Sequence, residues 1–206
     1  MNKTIYFIRH GQTEFNKKKI VQGGGVDSSL NDKGREQAQA FYNFYKEIPF
    51  DLVLSSTLRR THETIQPFID RGIKWEQDAL INEMNWGVHE GKESTPEMRQ
   101  AYAEMIDNWK TGNFDARLEN GESAQELADR VGHFLEKLKE KEAKTVLVCA
   151  HGRTMRCLMC LVKEQHLREM ETYNHRNTCL FLVHQKNGKF EVELENDVRH
   201  LDKMLP

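Results

Sequence analysis

Three short apolar runs in this chain each end in residues that can hold or attack an anion. Ile5-Tyr6-Phe7-Ile8 runs into Arg9-His10-Gly11, and Leu52-Val53-Leu54 into Ser55-Ser56-Thr57-Leu58-Arg59-Arg60. Val146-Leu147-Val148 runs into Cys149-Ala150-His151-Gly152-Arg153. A guanidinium bonds two oxygens of an oxyanion at once. A neutral imidazole is a nucleophile that works near pH 7. Continuous apolar runs of this length suit strands buried on both faces, and open α/β sheets bind ligands at the carboxyl ends of their strands. Three parallel strands would then bring two histidines and at least two arginines to one crevice. Two of the clusters also open helices, whose free N–H groups favour anions. Residue types and spacing alone thus imply a pocket for a doubly charged oxyanion, with phosphate the leading candidate.

The elements that must position these residues are legible as an alternation of strand and helix signals, the pattern of an α/β fold with a mostly parallel sheet. Asn31 can cap a helix with Ala38, Phe41, Tyr42 and Tyr45 on its apolar side. Phe50 to Leu54 reads as a second strand. A helix from about Ser56 turns Leu58, Thr61 and Ile65 inward, and Pro67 should kink or end it. Ile73 to Trp75 reads as a short third strand. Thr95-Pro96 is an N-cap followed by proline at the first helical position, with Gly112 as the stop. Ser123 and Glu126 form a capping box before a helix that turns Leu127, Val131, Phe134, Leu135 and Leu138 inward. A helix carrying Met155, Leu158, Met159 and Val162 follows the strand Val146–Ala150. The C-terminal part reads as a hairpin, Thr178 to His184 and Phe190 to Leu194, turning at Asn187-Gly188.

The chain has 206 residues, so a prior of about 150 residues per domain gives one domain over 1–206. An apolar fraction of 38%, a charged fraction of 30% and a net charge of -2 argue against nucleic-acid binding by bulk basic charge. No apolar run approaches the ~20 residues of a membrane span, and Arg9-His10 interrupts any signal-peptide core. Cys149, Cys157, Cys160 and Cys179 lie in apolar contexts and read as reduced core residues of a cytoplasmic protein. Cys157 and Cys160 are formally a C-x-x-C pair, but they fall mid-helix without a second pair.

Taken in order, these residues resemble the signature of the histidine phosphatase superfamily, which includes cofactor-dependent phosphoglycerate mutases and many small phosphatases. Arg9-His10-Gly11 with Thr13 and Asn16 carries the start of the match. It continues through Gln22-Gly23, Leu30 with Gly34 and Gln37-Ala38, and Ser55-Ser56-x-Leu58-x-Arg60. Glu83, Gly121-Glu122-Ser123 with Arg130, His151-Gly152 and Asn177-Thr178 complete it, so the resemblance covers nearly the whole chain. It implies a three-layer α/β/α sandwich with an inserted cap, here about residues 83–121. His10 would become a phosphohistidine, Arg9, Arg60 and His151 would bind the phosphoryl group, and Glu83 would protonate the leaving oxygen. Asn16, Gln22, Gly23, Thr13 and Gly152 would complete the substrate site.

Each role is chemically sound. A nucleophilic imidazole splits one hard phosphoryl transfer into two steps. Cations offset the charge on the equatorial oxygens, and a carboxylic acid can protonate an alkoxide. The reading is therefore a phosphatase acting on small phosphomonoesters through His10, with no cofactor. The partner is a small phosphorylated metabolite, with neither nucleic acid nor membrane, in a monomer or homodimer. The short chain and Trp86-Gly87-Val88-His89-Glu90-Gly91-Lys92 resemble the phosphatase branch. Phosphoglycerate mutase is the first alternative, and a phosphate-ester-binding protein without catalysis the second.

The remaining histidines, His62, His89, His133, His166, His175, His184 and His200, show no metal-ligand spacing, and no metal is expected. Lys17-Lys18-Lys19 reads as a solvated loop and Gly23-Gly24-Gly25 as a flexible turn. The Met98, Tyr102, Met105 and Trp109 stripe reads as packing. Candidate substrate selectors are Gln22, Trp86, His89, Met98, Trp109 and Arg117. Four positions depart from the family pattern: Phe15 where tryptophan is usual, Ile20 for a basic residue, Ser29 for proline, and Gly24-Gly25 with one extra residue.

Overall fold

A computed structural model describes residues 2–204. The chain runs β1 (Lys3–Arg9), α1 (Glu14–Lys18), α2 (Asp32–Tyr45), β2 (Leu52–Ser55), α3 (Arg59–Ile69), β3 (Trp75–Gln77), α4 (Pro96–Lys110), α5 (Ala124–Glu140), β4 (Thr145–Ala150), α6 (Gly152–Val162), β5 (Leu180–Lys186) and β6 (Lys189–Asp197). The six strands form one sheet in the order β3-β2-β4-β1-β5-β6. The first four in that order are mutually parallel, whereas β5 is antiparallel to β1 and β6 to β5. The sheet is therefore mixed, with its parallel part carrying the three apolar runs.

Side chains alternate across this sheet and build a core on each face. Ile5, Phe7, Leu52, Leu54, Val146 and Val148 pack with Leu127, Val131 and Phe134 of α5 and with Leu158 and Met159 of α6. Ile8, Val53, Leu147 and Cys149 pack on the opposite face with Phe41 and Tyr45 of α2 and Ile65 and Phe68 of α3. This is the three-layer arrangement. All four cysteines are free and buried. Among the described residues no helix is long and apolar enough to cross a membrane.

Local signals mostly resolve as their chemistry dictates. Asn31 accepts from the Gly34 N–H at the start of α2, Thr95 caps α4 with Pro96 behind it, and Ser123 and Glu126 close the capping box of α5. Asn187 and Gly188 take positive φ, 51° and 81°, at the hairpin tip, as a type I′ turn requires. Several boundaries shift by one to three residues, among them those of β2, β5, β6 and the start of α3, and two further differences have a local cause. Pro67 lies inside α3, which continues to Ile69; a proline in the last turn gives up only one hydrogen bond, and packing of Ile65 and Phe68 holds the turn. The third strand is Trp75–Gln77, two residues later than the apolar pattern implies; it is an edge strand set by its pairing with Val53–Ser55, and Trp75 is 37% exposed.

Candidate active site

Parallel register brings the two histidines together. Arg9 is level with Ala150, and the His10 N–H donates to the Ala150 carbonyl at 3.0 Å. His10 and His151 are then each one step past adjacent strands, and their ring centroids lie 5.2 Å apart. His10 is 2% exposed. Its Nδ1 contacts the Gly11 carbonyl at 2.7 Å. A carbonyl can only accept, so Nδ1 carries the proton and Nε2 keeps its lone pair. Burial first, then the Arg60 and Arg9 charges, hold the His10 pKa well below the ordinary imidazole range.

Arg60 enters from α3 and is 0% exposed. Its Nε–H donates to His151 Nδ1 at 3.1 Å, and its terminal nitrogens donate to Val26 O at 2.7 Å and Gly23 O at 3.2 Å. Each terminal nitrogen retains a second N–H. Since Arg60 only donates, the His151 proton sits on Nε2, which donates to Ser56 Oγ at 2.8 Å. Both ring nitrogens of His151 are thus engaged within the protein, and His151 braces Arg60 in this arrangement. Its own pKa is also held well below the usual range, by burial, Arg60 and His10 in that order.

Arg9 donates through one terminal nitrogen to the ring and the carbonyl of His175, at 3.1 and 3.0 Å. Its Nε is buried without a hydrogen-bond partner among the described residues. A buried cationic donor left unpaired marks a place where an oxyanion would be stabilised. Asn16 and Gln22 are arranged for the same use. Asn16 Oδ1 accepts from the Thr13 N–H at 3.2 Å and from Asn177 Nδ2 at 3.3 Å. Gln22 Oε1 accepts from Thr13 Oγ at 3.2 Å and from Ser28 Oγ. With both amide oxygens occupied, the amide N–H groups are the ends left to donate to a ligand. Thr13 is itself 0% exposed and closes a capping box on α1, so it orients Asn16 and Gln22 from behind.

Glu83 reaches the amino end of α6. Its carboxylate accepts from the N–H groups of Arg153 and Thr154, both at 3.1 Å, from Met84 N at 3.0 Å, and from Thr154 Oγ at 3.2 Å. Residues upstream of it are fixed by Arg130, which donates to the carbonyls of Leu80 and Asn82 at 2.8 Å and pairs with Glu122. The Arg153 and Thr154 N–H groups at the helix start follow His151 by two and three residues, so the carboxylate lies beside the His151 end of the pocket.

The candidate residues therefore converge: His10, Arg9, Arg60, His151 and Glu83, with Asn16 and Gln22 beside them. Gly23 contributes its carbonyl to Arg60, and Gly152 lies under the His175 ring, where an added Cβ would meet it at 3.0 Å. Arg153, part of the third cationic cluster, does not join them. Its guanidinium runs beneath α4, about 5.4 Å from the ring centroids of Trp86 and Trp109, and bonds Tyr102 and Glu171. Gly23-Gly24-Gly25 is a close-packed seam and not a loose turn. An added Cβ would lie 2.0 Å from Glu90 Oε1 at Gly23, 2.8 Å from the Glu83 carbonyl at Gly24 and 2.7 Å from Glu90 Oε2 at Gly25.

Three supporting residues escaped the candidate set. Asn177 donates to the His10 carbonyl at 3.0 Å, His175 holds Arg9, and Glu90 ties Gly25 N and Trp86 N together at 2.8 Å each. Asn177 alone had a signal, its place beside Thr178 in the family motif. His175 reaches Arg9 across 166 residues and Glu90 reaches Gly25 across 65, contacts that no local pattern encodes.

This fold and this pair of buried histidines define the class of protein. The chain belongs to the histidine phosphatase superfamily, branch 1, whose family model matches residues 5–198. It is 30% identical over 199 residues to a Hydrogenobacter thermophilus protein provisionally assigned as phosphoserine phosphatase 2, covering 96% of this chain and 97% of that one. It is 29% identical over 209 residues to an Escherichia coli protein provisionally assigned as phosphoglycerate mutase GpmB, covering 96% and 94%. Among solved structures, YhfR of Bacillus stearothermophilus superposes with a TM-score of 0.84 at 27% identity, covering 97% of this chain and 100% of that one. The α-ribazole phosphatase of Shigella flexneri superposes with 0.83 at 25% identity, covering 94% and 96%.

Proposed function

We propose that this protein is a phosphatase that hydrolyses small phosphomonoesters through a phosphohistidine on His10. One observation carries the reading: the Gly11 carbonyl fixes the proton on Nδ1 of a buried, neutral His10, which leaves Nε2 as the attacking lone pair among Arg9, Arg60 and His151. The phosphatases among its relatives support the same reading.

In the first step Nε2 attacks phosphorus while the ester P–O bond breaks. The electron pair leaves on the alcohol oxygen, which takes the proton that Glu83 picks up from solvent when the phosphoryl dianion binds beside it. Arg9 Nε and the remaining Arg60 N–H groups meet the equatorial oxygens where charge accumulates. In the second step water attacks phosphorus, its proton passes to the Glu83 carboxylate, and the P–N bond breaks. Inorganic phosphate leaves and His10 returns neutral.

Rapid quenching with labelled substrate should trap an acid-labile, base-stable adduct on a peptide containing His10. An adduct on Ser55 or Cys149 would overturn the mechanism. Glu83→Gln should slow alkyl phosphates by about 10²–10⁴-fold and aryl phosphates with good leaving groups much less. Equal losses on both, with phosphorylation rate-limiting for each, would move the acid elsewhere. Recovery of the label on a second hydroxyl of the product instead of as inorganic phosphate would assign a mutase.

A further inference from the structure

Beside the phosphate site lies a cleft of about 530 Å³, lined by Lys19, Val21, Gln22, Trp86, His89, Ser94, Met98, Arg99, Tyr102 and Leu118. Gln22 belongs to both, so the cleft begins where the leaving alcohol must lie. Four of the six candidate selectors line it. Trp109 instead is buried with its indole N–H on the Ala116 carbonyl at 2.8 Å, and Arg117 pairs with Glu126 at 2.7 Å.

The lining has a distinct chemistry. Val21, Trp86, Met98, Tyr102 and Leu118 make most of its wall apolar. Trp86 and Tyr102 are held with ring centroids 5.7 Å apart, and Arg153 behind them fixes both by stacking on one and bonding the other. The wall is therefore built before any substrate arrives. His89 is 7% exposed and its ring makes no hydrogen bond among the described residues. Burial, then Lys92, lowers its pKa, so it faces the cleft as a neutral polar group. Among the described residues the two charges on the lining, Lys19 and Arg99, are both cations on exposed residues, and no carboxylate lines the cleft.

We propose that this cleft selects phosphomonoesters of mainly apolar alcohols that carry a carboxylate at the far end. The apolar body fills the Val21, Trp86, Met98 and Leu118 wall, and the carboxylate is drawn by Lys19 and Arg99. The inference rests on the phosphatase reading. Compact polyhydroxylated alcohols fit poorly, because their hydroxyls would lose water against a wall offering them only His89, Gln22 and Ser94.

Three primary-alcohol esters of similar leaving-group strength test it: hexyl phosphate, 6-(phosphonooxy)hexanoate and glycerol 3-phosphate. kcat/KM for hexyl phosphate should exceed that for glycerol 3-phosphate by about tenfold or more, since each buried methylene favours binding several-fold. The carboxylated ester should gain a further factor of about 2–5 at low salt, the scale of an exposed ion pair. K19Q/R99Q should remove that gain and leave hexyl phosphate within about twofold. Met98→Glu should lower both long esters about tenfold and spare glycerol 3-phosphate. Glycerol 3-phosphate as the best ester, or no gain from the carboxylate, overturns the proposal.

Binding of hexylphosphonate and 6-phosphonohexanoate, measured by calorimetry, separates the two readings. If no ester turns over but these phosphonates bind in the stated order with the stated variant effects, the cleft assignment stands and the phosphatase reading falls. If they bind no better than methylphosphonate, the cleft assignment falls whatever the turnover.

Discussion

Arg60 and His151 form one unit: the Arg60 Nε–H donates to His151 Nδ1 at 3.1 Å, with both side chains buried. The bond fixes the His151 tautomer and sends its Nε2 proton to Ser56. Arg59, one residue earlier on α3, is exposed; its backbone N–H reaches Asp27 at 2.7 Å and its guanidinium only grazes Ser29 at 3.5 Å. Neighbours on a helix point about 100° apart, and here that angle separates the pocket from water.

Arg60→Ala should therefore reduce kcat/KM on a small phosphomonoester by about 10²–10³-fold, the scale of one lost charged donor at a phosphoryl transition state. Arg59→Ala should stay within about fivefold. R60A/H151A should lose less than the product of the two single losses, because each single change already releases the other's partner. Strict additivity, or Arg59→Ala as the more damaging change, would contradict the unit.

The lowered histidine pKa values set a pH dependence with a definite sign. In the proposed mechanism His10 attacks as the neutral imidazole, so the acid limb of kcat/KM should lie below the ordinary imidazole value of about 6.5. Burial is the main cause, but Arg60 is the next, so Arg60→Gln should move the limb to higher pH. The substrate's own ionisation is common to both proteins and cancels in the comparison. Stability follows the same sign. His175 and His200 are lowered to about 3 and about 4, in both cases mainly by burial. The unfolded chain binds these protons as pH falls through 6.5 and the folded chain does not. The stability they confer is complete above that pH and is lost toward 3–4. His200→Gln should flatten the unfolding free energy between pH 6.5 and about 4 by up to about 1.4 kcal/mol per pH unit. An unchanged slope in chemical denaturation would remove His200 from this account.

What the sequence disclosed, and what it hid, follows from the range of the interactions. Strand ends and helix starts are local events, so Arg9-His10-Gly11 and His151-Gly152 announce themselves within a few residues. The choice of Arg60 over Arg59 follows from helix phase. The Arg153 direction is different. Its backbone sits at the expected place, donating to Glu83, while its side chain turns to Tyr102 and Glu171 on segments fifty-one residues before it and eighteen after. The glycine run misled for the same reason. Gly23-Gly24-Gly25 has the composition of a loose turn, and only the approach of Met84 and Glu90 makes it a seam. Met98 and Tyr102 share a helical stripe with Met105 and Trp109, yet line a cleft while the other two are core; periodicity identifies the face of α4 but not where along that face the cleft opens.

The seam yields a paired test of packing against chemistry. Gly24 donates its N–H to the Met84 carbonyl at 3.1 Å, and a Cβ there would stand 2.8 Å from the Glu83 carbonyl oxygen. That oxygen is backbone, so Gly24→Ala must push the peptide that carries Glu83. The expected cost is about 1–3 kcal/mol of stability, as for other overpacked sites. A loss of kcat of about tenfold or more should accompany it, since displacements well under 1 Å misplace an acid. Gly132 is the counterpart. It lies inside α5 with nothing within 4 Å of an added Cβ, and alanine there restricts the unfolded chain without strain. Gly132→Ala should stabilise by about 0.5–1 kcal/mol, raising Tm by roughly 1–4 °C for a chain of this size, with kcat unchanged. Thermal melts and steady-state kinetics on one alkyl phosphate read both variants. If Gly24→Ala keeps its kcat while losing stability, the seam supports the fold without positioning Glu83, and the acid must be held by α6 and Arg130 alone.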